Sequence, residues 1–183
     1  MSHLLFSAAA IAVGSIAAVT DYKTGRIPNQ LTFSTMFVGL ATNCLAGGLS
    51  GLLRSLAGLC VCATVPAVIY KASQGRGIGG GDIKLFAGLG ALLGITQGLE
   101  AELSSFLLLA VFAMVRLAFD GQLTRTIARS LRVTAALFVP NLRFRDGELP
   151  LAMTEMRMGP AIALGVVSVL VLPYVVRWFP WLG

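Results

Sequence analysis

The chain has 183 residues, 56% of them hydrophobic and 12% charged, with a net charge of +6 and an isoelectric point near 9.8. A mean hydropathy of +0.84 excludes an ordinary soluble domain. The composition instead fits an all-α, polytopic membrane protein: one integral membrane domain over residues 1–183, with the lipid bilayer as its main partner.

In chain order, apolar runs predict about six transmembrane helices: His3–Thr20, Leu31–Ala46, Ser55–Tyr70, Ile83–Gly98, Leu103–Phe119 and Gly159–Val176. A hydrocarbon core about 30 Å thick needs roughly 20 apolar residues per crossing, so several of these runs need flanking residues or local thinning of the bilayer. The first run has no Lys or Arg ahead of it and two soon after, which argues for a retained helix rather than a secretory signal. Ala10, Gly14 and Ala18 on the first segment, and Gly90, Gly94 and Gly98 on the fourth, predict stripes of small residues along which helices pack closely. Cys44, Cys60 and Cys62 all fall in apolar runs. Residues two apart on a helix face nearly opposite ways, so Cys60 and Cys62 read as apolar filler, with no disulfide and no metal expected. The interval at about 120–158 separates the last two segments. Within it Arg125, Arg129 and Arg132 share one helical face, with Leu123, Ile127 and Leu131 opposite, predicting a cytoplasmic amphipathic helix on the membrane surface, with a helix that docks substrate or a partner as the alternative. Residues 140–158 read as an irregular loop, and Gly159-Pro160 opens the last helix.

Charge distribution gives a topology. If the segments alternate, residues 21–30, 71–84 and 116–158 share one side and carry all but Arg54 and Arg177 of the 14 basic residues. Positive charge gathers on the cytoplasmic side, which places the N-terminus outside. Glu100 and Glu102 then fall in an outer loop. The basic balance therefore reports orientation, and no nucleic-acid partner is expected.

Two polar stretches interrupt this pattern, "DYKTGRIPN" at 21–29 and "GIGGGDIKL" at 78–86. Carboxylates at membrane depth are costly and mark functional sites. Asp21 ends the first segment and Asp82 precedes the fourth, so alternation puts both at the cytoplasmic boundary. Two close carboxylates share a proton: the ionised one takes a proton from water while the neutral one polarises a carbonyl. Such a pair hydrolyses a peptide bond without metal or cofactor. The glycines 79–81 permit close approach of an extended substrate, Pro28 fixes the chain before the second helix, and Asn29 suits its N-cap. Which aspartate holds the proton is left open by the sequence. Taken singly, Asp21 also suits an interfacial pair with Lys23 or Arg26, and Asp82 a helix cap. Asp120 reads as loop punctuation.

Asp21 followed by Ile27-Pro28-Asn29, and Gly79-Gly80-Gly81-Asp82 followed by Ile83-Lys84-Leu85, together resemble the type IV prepilin peptidase family of membrane aspartyl proteases. "MGPAIALG" at 158–165 adds to the likeness. The resemblance implies an aspartic endopeptidase that removes the short basic leader of prepilins or pseudopilins at the cytoplasmic face of the bacterial inner membrane. It assigns catalysis to Asp21 and Asp82, and motif roles to Gly79, Gly81 and Lys84, with Pro28 and Asn29 in support. Long members carry an extra cytoplasmic region with Cys-x-x-Cys pairs and also N-methylate the new terminus. This chain resembles the short form of tight-adherence pilus systems, for which peptidase activity alone is expected. The prepilin cleaved and the oligomeric state are not given by the sequence.

Two other classes compete. A proton-coupled transporter would place carboxylates nearer the bilayer midplane. A non-catalytic pilus-assembly subunit would tolerate Asp-to-Asn changes. A single His and the lack of His-Glu-x-x-His disfavour a zinc membrane protease.

Overall fold

The computed structural model describes residues 2–72, 78–119 and 158–178, and among them every regular element is an α-helix. They are α1 (Ser2–Thr24), α2 (Asn29–Ala72), α3 (Gly80–Leu93), α4 (Ile95–Phe119) and α5 (Gly159–Trp178). The amphipathic helix expected at 123–139, the loop that follows it and Asp120 lie outside the described residues. Two compact units are present, Met1–Leu108 with Arg157–Gly183, and Leu109–Met156. The packing described below belongs to the first.

Among the described residues, three helices are long and apolar enough to cross a membrane, over Leu5–Thr24, Asn29–Ala72 and Ile95–Arg116, and Gly159–Val171 is a shorter apolar helix. Large apolar side chains such as Phe37, Leu45 and Leu107 point outward, the exposure expected of a lipid-facing surface.

The 44 residues of α2 do not form one rod. Asn43 and Ser55 both donate side-chain hydrogen bonds to the Ala91 carbonyl, at 3.1 and 2.6 Å. Twelve residues of straight helix would separate them by about 18 Å. The chain reverses at Gly48, whose φ of 59° is the left-handed conformation that glycine adopts without a steric penalty. The expected second and third segments thus lie on the two limbs of one folded element.

Both limbs close on α3, whose residues Leu85 to Leu92 are buried on every face, as befits a helix that is apolar all round. Glycines set the closeness. A Cβ at Gly39 would fall 2.8 Å from the Ala91 and Leu92 backbone, and one at Gly58 would collide with the Gly90 carbonyl. The bonds from Asn43 and Ser55 have a reason as well. Ala91 belongs to the last turn of α3, where carbonyls have no intrahelical partner, and these side chains supply one.

The fourth expected segment, Ile83–Gly98, is broken. α3 ends at Leu93, the chain turns at Gly94 (φ 80°), and α4 begins at Ile95. Gly90 and Gly98 consequently face each other across a hairpin, with a Gly98 Cβ placed 3.1 Å from the Gly90 Cα; the stripe expected along one helix is instead a contact between two. Phe86 and Phe106 add a ring contact between α3 and α4, with centroids 5.6 Å apart. Glu102, expected in an outer loop, lies within α4 and is buried, because the turn comes at Gly94 rather than at 99–102.

On α1 from Leu5 onward the buried positions are Ala10, Gly14, Ala17 and Asp21. Ala18, expected on this stripe, is half-buried; Ala17 takes its place, since the spacings 4, 3 and 4 hold one face of a 3.6-residue helix better than a strict repeat of four. This face packs on α5, where a Gly14 Cβ would sit 3.4 Å from the Ala163 Cα. Further along α5, Gly165 lies against Ser105 of α4.

Candidate active site

The segment from α1 to α2 folds by local rules. α1 closes with Gly25 at φ 66°, its N–H donating to the Asp21 carbonyl at 2.8 Å, a left-handed helix ending. Thr24 Oγ1 donates to the carbonyls of Thr20 and Arg26, at 2.7 and 3.0 Å, and ties down the turn. The Pro28 carbonyl accepts from the N–H groups of Leu31 and Thr32, at 3.1 and 3.3 Å, so Pro28 occupies the N-cap position of α2. Asn29, expected there, is instead the first helical residue. Its side-chain oxygen accepts a hydrogen bond from Lys84 Nζ at 2.8 Å, and the Lys84 ammonium also lies 5.3 Å from the Phe33 ring centroid.

Asp82 stands at the third position of α3 and reaches back to accept the Gly79 N–H at 2.9 Å. This is the carboxylate half of a capping box; glycine has no side chain to complete the other half. A Cβ at Gly79 would come 3.1 Å from Asp82 Oδ2, and one at Gly81 would come 3.2 Å from the Ile27 Cβ. Gly81 therefore lets the buried Ile27 rest on the start of α3, which joins the two polar stretches of the sequence. A Cβ at Gly80 would meet nothing within 4 Å among the described residues.

These contacts leave a cavity of about 310 Å³. Asp21, Gly25, Arg26, Ile27 and Asn29 form one wall, and the run 79–82 forms the other. Asp21 and Asp82, 60 residues apart in sequence, thus line one space while being only 7% and 8% exposed. Of the residues singled out from the sequence, Gly79, Gly81 and Asn29 also line it. Lys84 stands beside it, bonded to Asn29, and Pro28 shapes the chain behind it.

Asp82 lies ahead of the apolar stretch of α3. Burial pushes its carboxyl up to about 6; the Gly79 N–H opposes the rise and the Asp21 charge adds to it. A carboxyl held in that range exchanges protons near neutral pH, as general acid–base chemistry requires. Asp21 has a different support. Its Oδ2 accepts the backbone N–H of Gly159, at the head of α5, at 2.9 Å. The sequence marks Gly159 as the start of a helix and as part of the "MGPAIALG" likeness, and assigns it no contact with Asp21. This bond spans 138 positions, and no local pattern announces it.

The described residues contain no group of three or more His, Cys, Asp or Glu side chains able to hold a metal ion. Two carboxylates lining one space suit the activation of a water and the protonation of a carbonyl oxygen.

Comparison with known proteins agrees with the motifs. The model of the type IV leader peptidase family matches residues 8–115. A prepilin leader peptidase/N-methyltransferase of Bacillus subtilis (strain 168) is 37% identical over 100 residues, which cover 53% of this chain and 38% of the relative. The match thus spans well under half of that relative's length. No solved structure matches the chain.

Proposed function

Since the chain belongs to the type IV leader peptidase family, we propose that it is a prepilin peptidase of the aspartyl type, acting on prepilins or pseudopilins at the cytoplasmic face of the bacterial inner membrane. The observation that carries the proposal is the shared cavity of Asp21 and Asp82, brought together from α1 and α3, with glycines 79–81 forming part of its lining. The ionised carboxylate takes a proton from water, and the resulting hydroxide attacks the scissile carbonyl carbon. The protonated carboxyl gives its proton to the carbonyl oxygen. As the tetrahedral intermediate collapses and the C–N bond breaks, the carboxyl that took water's proton gives it to the departing amine, and the other carboxylate recovers a proton from a hydroxyl of the intermediate. Both carboxylates lie within the matched residues 8–115, so the proposal is confined to peptide hydrolysis and assigns no methyl transfer.

The membrane arrangement belongs to the same proposal. α1, the two limbs of α2, the α3–α4 hairpin and α5 cross as about six passes of a single domain, with the N-terminus outside and the cavity at the cytoplasmic end. The density of Lys and Arg around residues 21–30 and 71–84 supports this orientation. A prepilin presents a basic leader ahead of an apolar helix, so its scissile bond meets the boundary at which Asp21 and Asp82 sit. The test is co-reconstitution of the full chain with a full-length prepilin in liposomes, with the products read by mass spectrometry. Release of an intact leader is expected; no cleavage at any substrate ratio would overturn the assignment.

A further inference from the structure

We infer that Gly159, at the head of α5 and beyond the residues 8–115 matched by the family model, is a positioning residue of the active site: its backbone N–H holds one oxygen of Asp21 and leaves the other to act. The inference rests on the peptidase reading.

Asp21 Oδ2 takes the Gly159 N–H at 2.9 Å, and Oδ1 has no hydrogen bond among the described residues. The same division holds across the cavity, where Asp82 Oδ2 takes the Gly79 N–H at 2.9 Å. Each carboxylate is thus pinned by one glycine amide, and its rotation about the terminal torsion, which is otherwise soft, is limited. Reactive groups gain rate from being held near the attacking geometry, and a backbone donor in a helix holds more firmly than a long side chain.

The position also demands glycine. A Cβ there would lie 2.6 Å from the Asp21 Cβ and 3.1 Å from the Ala17 carbonyl oxygen. With any other residue α5 would have to back away from α1, and the amide would leave hydrogen-bonding range. Pro160 follows and has no N–H. Of the first-turn amides, which have no intrahelical acceptor, the one from Gly159 is committed to Asp21. α5 is otherwise anchored by contacts remote from the cavity, Ala163 on Gly14 and Gly165 on Ser105. The bundle therefore sets where the amide stands, and the amide sets where the carboxylate stands.

The test replaces the Met158–Gly159 amide by an ester in the full-length protein, through incorporation of glycolic acid at 159. This removes the donor and adds no atom beside Asp21. An ester at Ala161, in the same turn, is the matched control. Leader removal from a co-reconstituted prepilin is expected to lose at least tenfold in kcat with KM within threefold for the ester at 159, and to keep both within twofold for the ester at 161. Native kcat at 159, or a loss carried by KM alone, overturns the inference. The 13C resonance of the Asp21 carboxyl gives a second readout that does not depend on cleavage. It is expected to move for the 159 ester alone, and an unmoved resonance also overturns the inference. If the native chain cleaves no prepilin, the peptidase reading falls, while that resonance still decides whether Gly159 holds Asp21.

Discussion

Asp82→Asn is expected to make the protein more stable above neutral pH while it abolishes cleavage. The substitution preserves shape, and the Asn side-chain oxygen can still accept the Gly79 N–H seen at 2.9 Å. What it removes is the ionisable group, whose folded-state value is raised from 3.8 to about 6. A raised carboxyl means that the folded state binds the proton more tightly than the unfolded chain does. Stability is then fullest below the unfolded value, and it is lost as pH rises through the folded one. One unit corresponds to about 1.4 kcal/mol, so ionising Asp82 costs the native fold on the order of 3 kcal/mol at pH 8. The Asn variant escapes that cost. Its advantage over the native chain should be smallest near pH 4, grow between pH 4 and 6, and level off above pH 7. Thermal unfolding of both proteins in one detergent across this range measures it, at roughly 2–4 °C per kcal/mol for a chain of this size. Titrating groups remote from Asp82 are common to both proteins and cancel in the difference, whereas the interaction with the Asp21 charge is part of what the substitution removes. A stability difference that does not change with pH, or a native chain more stable than the variant at pH 8, would refute the reasoning.

Further outcomes follow from named contacts. Gly58→Ala drives a methyl into the Gly90 carbonyl and is expected to destabilise the bundle by about 1–3 kcal/mol or more, read from the unfolding midpoint in detergent. Ser55→Ala and Asn43→Leu each leave the Ala91 carbonyl one donor, whereas the double variant orphans it. The double variant should lose about 1–3 kcal/mol beyond the sum of the singles, and simple additivity would contradict the capping role. Lys84→Met and Asn29→Leu, which break one partly exposed hydrogen bond, should couple by no more than about 1 kcal/mol in a double-mutant cycle of stability. Ile27→Ala removes the side chain that rests on Gly81 and is expected to cost about 2–5 kcal/mol, with slower leader removal in membranes.

The parts of this molecule that were legible in the sequence are those written in local pattern. Apolar runs located the helices, and the two polar interruptions located the cavity walls, because an Asp beside glycines at a helix end is visible in a short window. Helix ends and faces were less legible. Gly94 turns the chain inside an unbroken apolar run, and hydropathy does not distinguish a glycine that packs from one that breaks a helix. One residue of helix rotates by about 100°, so assigning Ala18 rather than Ala17 to the packed face needed more precision than a repeat of small residues carries. Glu102 was misplaced for the same reason as Gly94, since moving the turn turned an expected loop residue into a buried helical one. The bond from Gly159 to Asp21 was beyond reach because it depends on how α5 lies against α1, which is decided by packing at Gly14 and Ala163 and by no single segment.

The most direct test of the central claim compares leader removal by the native chain with Asp21→Asn and Asp82→Asn, in membranes where each protein is shown to be inserted in equal amount. The two-carboxylate account predicts that either substitution alone abolishes cleavage. A variant that still removes the leader at the native rate would contradict it, and would return the pair to the competing role of carrying protons across the membrane.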